Sequence, residues 1–485
     1  MISAGPSVPS APPLAPSDSA KRLLPWLVAV AFFMEALDTT VLNTAVPAIA
    51  QALKVVPLSM KAVLSSYTLS LAVFIPISGW MADRFGTRRV FATAIGIFTF
   101  GSLLCGICSN IHLLVACRIV QGCGGAMMVP VGRLTMVRTF PKSELIRAMS
   151  FVAIPGLIGP MLGPVVGGFI VGYFHWRLIF FINLPIGLLG LYLVYRHLPD
   201  FRGEQSRPLD VIGLVLFGCG IAILSYVLEV FGEHTLSTGT IVGLLAISAI
   251  ALTGYGLRAT HIEFPLLHLT LFRIRTFRAA VSGSFFTRIG IGGIPFLFPL
   301  LYQVGLGFSP IQSGLLMMPQ AIAAMSLKMT MPGIIRRFGY RTILVSNTIF
   351  IGVFIVLFAT IGVATPVWLI VVQVFIYGFF TSLQYTCMNT LAYADINEGQ
   401  ASSASTIAST MQQMAISFGV ATASLVTAIF ISDRFRTSAP EMIHGLHRAF
   451  LVLGGLTVAS SAIFHELKSD DGSSVSRQNV LHHGG

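Results

Sequence analysis

Charged side chains are scarce in this chain, where they make up only 10% of the 485 residues. A soluble domain carries about 25% charged residues. The hydrophobic share is 55%, and the mean hydropathy is +0.83. This composition excludes an ordinary soluble domain and predicts an all-α membrane protein that crosses the bilayer many times.

Signatures of common catalytic and nucleotide-binding sites are also missing. The sequence contains no HExxH, GxSxG or GxxxxGK[ST] string, so neither an enzyme nor an ATP-driven pump is predicted. Only six cysteines occur, and the CxxC formed by Cys105 and Cys108 has no second pair to complete a metal site. Loop topology explains the net charge of +12, and no nucleic-acid partner is expected.

Long apolar segments, by contrast, recur along the whole chain. Each is near the ~20 residues that a membrane-spanning helix needs. Sorted by alternate loops, twenty of the thirty Lys and Arg residues fall on one side of the membrane and six on the other. This bias predicts a bacterial inner-membrane protein with both termini in the cytoplasm. The fourteen predicted spans are 25–48, 60–82, 89–109, 111–134, 146–171, 176–196, 208–231, 238–257, 277–303, 311–333, 341–362, 366–392, 401–431 and 444–465.

A short internal repeat divides the chain. Arg84-Phe85-Gly86-Thr87-Arg88 recurs 253 residues later as Arg337-Phe338-Gly339-Tyr340-Arg341. The same offset carries the start of the first span close to the start of the ninth. The sequence therefore predicts two six-helix bundles with two inserted helices, an architecture typical of transporters.

The repeat also sets the predicted domain limits. We expect the inserted pair to be peripheral and lipid-exposed, without substrate contacts, and its linker to lie on the inner membrane surface. The predicted units are a disordered cytoplasmic tail (1–20), an N-terminal six-helix bundle (21–200), the two inserted helices with a linker (201–276), a C-terminal six-helix bundle (277–468) and a second disordered tail (469–485).

One acidic residue lies in the middle of the first span. At ~1.5 Å per residue, Asp38 is about 18 Å in from Trp26, near the centre of a ~30 Å hydrocarbon layer. An ionised carboxylate there costs at least a few kcal/mol unless it faces water or a cation. A carboxylate that exchanges its charge for a proton predicts proton coupling, with the proton gradient rather than a cofactor as the energy source. The alternative is a buried acid that only holds the helix packing.

Four strings together resemble the motifs of the major facilitator superfamily, and most closely its fourteen-helix drug:proton antiporters of the enterobacterial multidrug-resistance type. The likeness covers nearly the whole chain after the first tail. The strings are Gly79–Arg89 (GWMADRFGTRR) after the second span, Arg118–Ala126 (RIVQGCGGA) in the fourth, Gly159–Gly168 (GPMLGPVVGG) in the fifth and Leu37–Asn43 (LDTTVLN) in the first.

The resemblance implies a role for each string. Arg118 would adjust the proton affinity of Asp38, or would only satisfy helix-end carbonyls. The fifth span would pack across the domain interface and hinder leak, as in exporters; its residues are Gly159, Gly163, Pro164, Gly167 and Gly168. The loop after the second span would form a gate made of Asp83, Arg84, Gly86 and Arg88. In that gate, Asp83 would cap the positive end of the thirteenth span in the outward-open state and would release it on inward opening; the alternative is that these charges only set topology.

Glu35 lies three residues before Asp38, on the same helical face. Two acids in one cavity predict either affinity for cationic substrates or a second proton-coupling site at Glu35. The repeat offset places Glu35 on Arg288, and we hypothesise that the two face each other across a central cavity. They would form a salt bridge or a site for a zwitterionic or anionic substrate. Asn43 and Gln121 complete the predicted cavity set, whereas Lys328, in the tenth span, is given no role beyond snorkelling.

These inferences predict a proton-coupled antiporter that exports small amphipathic, drug-like compounds by alternating access. Its partners would be the substrate, protons and the lipid bilayer, and a periplasmic adaptor protein is left open. Two alternatives stay open: a dedicated exporter of one metabolite, such as a siderophore, and a membrane sensor that keeps the fold without transport.

Overall fold

The computed structural model describes residues 18–203, 208–230, 236–327, 330–431 and 438–472, and these are helical with no strand. The predicted tails lie mostly outside these ranges, as does Lys328. The helices of the first bundle are α1 (Asp18–Leu53), α2 (Lys61–Phe85), α3 (Thr87–Ile107), α4 (Ile111–Thr139), α5 (Lys142–Tyr173), α6 (Leu178–Phe181) and α7 (Asn183–His197). The inserted helices are α8 (Val211–Val230) and α9 (Thr238–His261). The second bundle contains α10 (Arg275–Gly292), α11 (Ile294–Pro299), α12 (Pro310–Ser326), α13 (Met331–Leu357), α14 (Val367–Leu391), α15 (Ala401–Ile429) and α16 (Ala439–Ser460).

Twelve stretches of the described chain are helical, long and apolar enough to cross a bilayer. The other two crossings are α5, whose described apolar part is Ile158–Tyr173, and α12, with 17 residues. Every predicted span therefore corresponds to a helical crossing. Some helices extend beyond the predicted limits, because polar end turns such as Asp18–Arg22 of α1 continue the helix past the apolar run. Others are shorter, such as α12, which ends at Ser326 and not near 333.

The ninth span is broken, although the sequence predicts it as continuous over 277–303. Helix α10 ends at Gly292, where Gly292 and Gly293 lie close to the backbone of α15. Pro295 is the second residue of α11. A π-helical turn, Leu300–Gly305, completes the crossing. The break follows from local chemistry, because glycines allow close backbone approach and a proline lacks the amide that would continue the helix.

The two bundles touch on one side of the membrane domain and separate on the other. We call the side where α1 begins and α16 ends the terminal side, and the opposite one the far side. On the far side, Ser424 of α15 donates to the Leu58 carbonyl (3.3 Å) and Gln303 donates to the Thr44 carbonyl (2.9 Å). On the terminal side, a cavity of about 550 Å³ lies between α2 and α15. The structure is therefore closed at the far side and open at the terminal side.

One of the two inserted helices is peripheral, as predicted, and the other is not. Helix α9 is exposed along most of its length, but α8 packs against both α2 and α15, one helix from each bundle. Near the far side, the Glu229 carboxylate accepts a hydrogen bond from Ser65, and Lys61 donates to the Glu229 carbonyl (2.5 Å). The apolar sequence of α8 does not predict this contact, because the polar residues that bind Glu229 are on α2.

The linker after α9 packs against the protein over part of its length. Its Leu267 and Leu271 side chains are buried in a core cluster shared by the inserted helices and the second bundle. The segment from Phe264 to His268 lines the terminal-side cavity together with Trp80 and Asp83 of α2. The linker thus forms one wall of that cavity, and its position on the membrane surface stays a prediction.

The contact between Glu229 and α2 gives a first test of the fold. Replacing Glu229 with alanine removes the acceptor of Ser65 and a negative charge beside the buried Lys61 ammonium. We expect a loss of about 1–3 kcal/mol of stability, seen as a lower melting temperature of the purified protein. Glu263→Ala, at an exposed acid of the linker, is the control and should leave the melting temperature unchanged. Equal melting temperatures for both variants would contradict the contact.

Candidate functional site

Asp38 is buried at the centre of the first bundle and is bound by three side chains. Arg118 Nη1 lies 2.6 Å from Asp38 Oδ2, and the side chains of both residues are 1% exposed. Gln121 Nε2 (2.9 Å) and Asn183 Nδ2 (3.0 Å) both donate to Asp38 Oδ1. Arg118 also donates to Gln121 Oε1 (2.7 Å), which fixes the orientation of that amide. We call Asp38, Arg118, Gln121 and Asn183 the carboxylate cluster.

Helix geometry explains how α4 supplies two members of the cluster. Arg118 and Gln121 are three residues apart, so both side chains lie on the same face of α4. The Arg118 guanidinium also lies over the Tyr67 ring of α2, 4.1 Å from its centroid. Cation–π contact and charge pairing together place this cation, which does not lose its proton in proteins, inside an apolar bundle.

Asn183 is a member of the cluster that the sequence analysis missed. It is the first residue of α7, just after the break at Ile182, and it also donates to Ser102 Oγ of α3 (3.0 Å). Ser102 in turn donates to the Phe180 carbonyl (2.9 Å). In the sequence, Asn183 is a single amide in an apolar span. The sequence does not show that the helix break before α7 directs this amide toward Asp38.

Gln121 has a different position from the predicted one. It was expected to line the substrate cavity, but it is 0% exposed and forms part of the carboxylate cluster. Asn43 is half-buried in α1, five residues beyond Asp38. The sequence did not distinguish these two amides. Gln121 binds the Asp38 carboxylate because its spacing from Arg118 places both side chains on the same face of α4.

The predicted pair of Glu35 and Arg288 does not form in this structure. Among the residues described, no ion pair joins them. Glu35 is half-buried, and the charges that act on it are those of Asp38, Arg133 and Arg118. Arg133, an exposed residue of α4, was not singled out from the sequence. Arg288 instead donates to Ser284 Oγ (3.0 Å) and lies over the Tyr385 ring (3.8 Å).

The loop after α2 is held within the first bundle. Asp83 pairs with Arg138 of α4 at 2.6 Å, whereas the sequence analysis placed it on the first turn of α15. Both Asp83 and that turn, at Ser402 and Ser403, line the terminal-side cavity. The separation of the bundles on this side accounts for the difference, because Asp83 then reaches Arg138 and not α15.

Gly86 makes the turn between α2 and α3, with φ at 95°, a conformation that favours glycine. A Cβ atom there would overlap Asp200, which accepts a hydrogen bond from the Arg88 amide at 3.1 Å. Arg84 is exposed at the end of α2. The loop motif therefore forms a compact corner between α2, α3 and the end of the first bundle.

The glycines of α5 form two contact surfaces. Gly159, Gly163 and Gly167 face α1, where added Cβ atoms would overlap Ala36, Thr40 and Val41 respectively. Gly168 faces the other bundle and presses on the Pro310 carbonyl of α12, while Gly314 of α12 presses reciprocally on the Pro164 carbonyl. Helix α5 therefore touches both the helix that carries Asp38 and the second bundle.

The carboxylate cluster holds one negative charge beside one positive charge. Two amides and the Arg118 guanidinium all donate to the Asp38 carboxylate, so its hydrogen-bonding capacity is used by the protein. The described residues contain no group of three or more histidine, cysteine or acidic side chains that could hold a metal ion. The arrangement is thus a buried ion pair that joins α1 to α4, and α7 completes it.

Comparison with known proteins gives consistent relatives. A sequence profile of the Major Facilitator Superfamily matches residues 28–420. A protein from Serratia proteamaculans, named "Putative multidrug resistance protein MdtD", is 41% identical over 426 residues, which cover 88% of each chain. A protein of the same name from Escherichia coli O8 is 40% identical over 432 residues, 88% of this chain and 92% of that one.

Solved transporters share the fold at low identity. A bacterial homolog of the human lysosomal transporter Spinster, inward-facing and unoccupied, aligns with a TM-score of 0.66 and 14% identity over 96% of this chain and 98% of that one. A D-xylose–proton symporter aligns with a TM-score of 0.64 and 14% identity, covering 93% and 99%. At this identity the similarity establishes the architecture of two six-helix bundles and not the substrate.

Removing one member of the Asp38–Arg118 ion pair should lower the stability of the protein, whereas removing both charges should largely restore it. Arg118→Met leaves an uncompensated carboxylate in the bundle and should cost about 3–5 kcal/mol of stability. The double variant Asp38→Asn/Arg118→Met removes both charges, so its melting temperature should recover toward that of the wild type. Thermal denaturation of the purified proteins measures the effect. A double variant that melts at the sum of the two single losses would show that the residues are not paired.

The α5 glycines predict a position-dependent effect of one methyl group. Gly163→Ala would overlap Thr40 and should destabilise the α1–α5 contact by about 1–3 kcal/mol. Gly156→Ala, on the same helix, is the matched control, because its Cβ would meet nothing nearer than Phe32 at 4.0 Å. The control should be neutral or slightly stabilising, since alanine favours helix. Similar melting temperatures for both variants would refute the packing.

Proposed function

Because the chain belongs to the major facilitator superfamily, we propose that it is a proton-coupled antiporter that exports small amphipathic compounds across the bacterial inner membrane. The observation that carries the proposal is the carboxylate cluster. Asp38 lies fifteen residues from each end of the span Leu23–Leu53, so it is near the middle of the membrane. A buried carboxylate at that depth, held by an arginine, is a proton site that the packing of α1 can respond to.

The orientation assigns the two sides of the structure. By the sequence count, twenty Lys and Arg residues fall on the side that corresponds to the terminal side and six on the other, which favours a cytoplasmic terminal side. The structure, open at that side, is then the inward-facing state with Asp38 ionised and paired. Substrate enters from the cytoplasm in this state. After the switch, the outward-facing state releases substrate and loads a proton on Asp38, and inward opening discharges it.

A continuous set of contacts connects the proton site to the bundle interface. Protonation of Asp38 releases Arg118 and so changes the hold of α4 on α1. Thr40 and Val41 of α1 pack on Gly163 and Gly167 of α5. The next glycine of α5, Gly168, packs on Pro310 of the second bundle. A shift of α1 is thereby passed to the far-side contact that must open for release.

The relatives support the choice of substrate class. Two are named as multidrug resistance proteins and are about 40% identical to this chain over most of its length. An exporter of this kind binds and moves its substrate without chemical change and uses no cofactor beyond the proton gradient. The same chain could also work with a periplasmic adaptor, which would extend export across the outer membrane.

Export by wild type and Asp38→Asn tests this function. In a bacterial host that lacks its own exporters, cells expressing the wild type should extrude at least one dye or antimicrobial, and a protonophore should abolish that export. Asp38→Asn should reduce it at least tenfold, because the amide cannot exchange a proton. Asp395→Asn, the same change at an exposed acid bound by Thr276, is the matched control and should export normally. Equal export by wild type and Asp38→Asn would remove Asp38 from the mechanism.

A further inference from the structure

Arg288 is a buried cation without a matching anion. It lies thirteen residues into α10, about 20 Å from the start of that helix, and is 4% exposed. Its contacts are the Ser284 hydroxyl, at 3.0 Å from Nε, and the Tyr385 side chain, whose ring centroid is 3.8 Å from Cζ. Neither partner is negatively charged. In the described part of the chain, no carboxylate forms an ion pair with Arg288.

The other deeply buried arginine shows what such a charge normally requires. Arg118 is compensated by the Asp38 carboxylate at 2.6 Å and by Gln121. A guanidinium stays protonated in proteins, so Arg288 cannot avoid the penalty of burial by becoming neutral. A charge in the membrane interior that lacks a partner of opposite sign marks a functional site by default. No carboxylate of the described residues supplies this partner, and a bound anion would supply it.

The internal repeat places Arg288 at the position equivalent to Glu35, which the sequence analysis assigned to the substrate cavity. The offset of 253 residues superposes Arg288 of α10 on Glu35 of α1, and it brings Tyr385 of α14 to within one residue of Arg133 of α4. In the first bundle, Glu35 and Arg133 supply a negative and a positive charge. In the second bundle, Arg288 and Tyr385 supply a positive charge and a neutral hydroxyl. At the positions equivalent to Glu35 and Arg133, the second bundle therefore has a positive charge but no negative one.

The exposure of α14 increases from Tyr385 toward the terminal side. Tyr385 is half-buried, and Asn389, one turn closer to the terminal end of α14, is exposed on the same face. An anion that approaches Arg288 from the terminal side would therefore pass Asn389 before Tyr385.

We propose that Arg288, with Tyr385 and Ser284, binds an oxyanion of the transported compound, so that the substrates are organic acids. The proposal rests on the proposed export function and specifies its substrate class. A guanidinium offers two parallel N–H groups that match a carboxylate or a sulfonate. The anion supplies the missing counter-charge in the second bundle, while Asp38 keeps its own partner in the first. Export then removes an acid from the cytoplasm in exchange for a proton that enters through Asp38.

Ligand-free stability provides a test that needs no substrate. Removing an uncompensated buried charge should stabilise a protein, whereas removing one member of a buried pair should destabilise it. Arg288→Met should therefore raise the melting temperature of the purified protein, in contrast to Arg118→Met, which should lower it. A lower melting temperature for Arg288→Met would show that Arg288 already has its counter-charge within the chain and would overturn the proposal.

Binding and export of matched compounds test the substrate class. The probes are aliphatic and aromatic mono-, di- and tricarboxylates and aromatic sulfonates, each beside its neutral amide. At least one acid should stabilise the purified wild type and be taken up by everted membrane vesicles in a protonophore-sensitive manner, and its amide should do so at least tenfold less. Arg288→Met should lose the response to acids, and Arg288→Lys should retain part of it, because lysine keeps the charge but not the planar fork.

Controls separate this proposal from the proposed function. Arg336→Met, at an exposed arginine of α13, should behave as wild type, and Tyr385→Phe tests the subsite without removing a charge. If only neutral or cationic compounds are exported, with Asp38 required and Arg288 dispensable, the antiport function stands and the organic-acid class is overturned. If no acid stabilises the wild type, the class is overturned regardless of transport. If nothing is exported through Asp38, the export function itself fails.

Discussion

The ion pair between Asp38 and Arg118 is the constraint around which the first bundle is arranged. Two charges in a membrane interior are tolerated only when they meet each other and when the remaining lone pairs and protons are bound. Helix α4 supplies Arg118 and Gln121, and the break before α7 directs Asn183 to the same carboxylate. Three helices, α1, α4 and α7, and a cation–π contact with Tyr67 of α2 thus meet at one acidic residue. In the described part of the second bundle no ion pair of this kind occurs, and the contacts of Arg288 there are neutral.

Glycine packing links that centre to the second bundle. Helix α5 presents glycines both to α1, which carries Asp38, and to α12, so its backbone lies close to both helices. The contacts of Gly168 with Pro310 and of Gly314 with Pro164 are reciprocal and join α5 to α12. One helix therefore makes the contact with α1 and the contact with the second bundle.

The sequence predicted the features that depend on local composition and missed those that depend on approach between helices. Span lengths, the two-bundle repeat and the importance of Asp38 follow from hydropathy, from the repeated loop string and from the energy of burying a charge. The partner of Asp83, the position of Gln121 and the contact of α8 with both bundles require three-dimensional placement. Asn183 and Arg133 were overlooked because each is a single polar residue in an apolar span, where helix packing and function give the same signal. The offset between Glu35 and Arg288 pointed to two buried or half-buried charges, but the two do not pair, and their place in a substrate cavity stays a prediction.

The depth of Asp38 also has an electrical consequence. With fifteen residues on either side of it within Leu23–Leu53, the carboxylate sits about halfway through the insulating layer. A proton that reaches it from the positive outer face of an energised membrane falls through about half of the voltage. At about 2.3 kcal/mol per elementary charge for each 100 mV, this is roughly 1 kcal/mol per 100 mV. In the proposed antiport cycle, voltage therefore favours filling of the site even when the acidity of the two compartments is equal, and a cell with a neutral exterior would still drive the cycle.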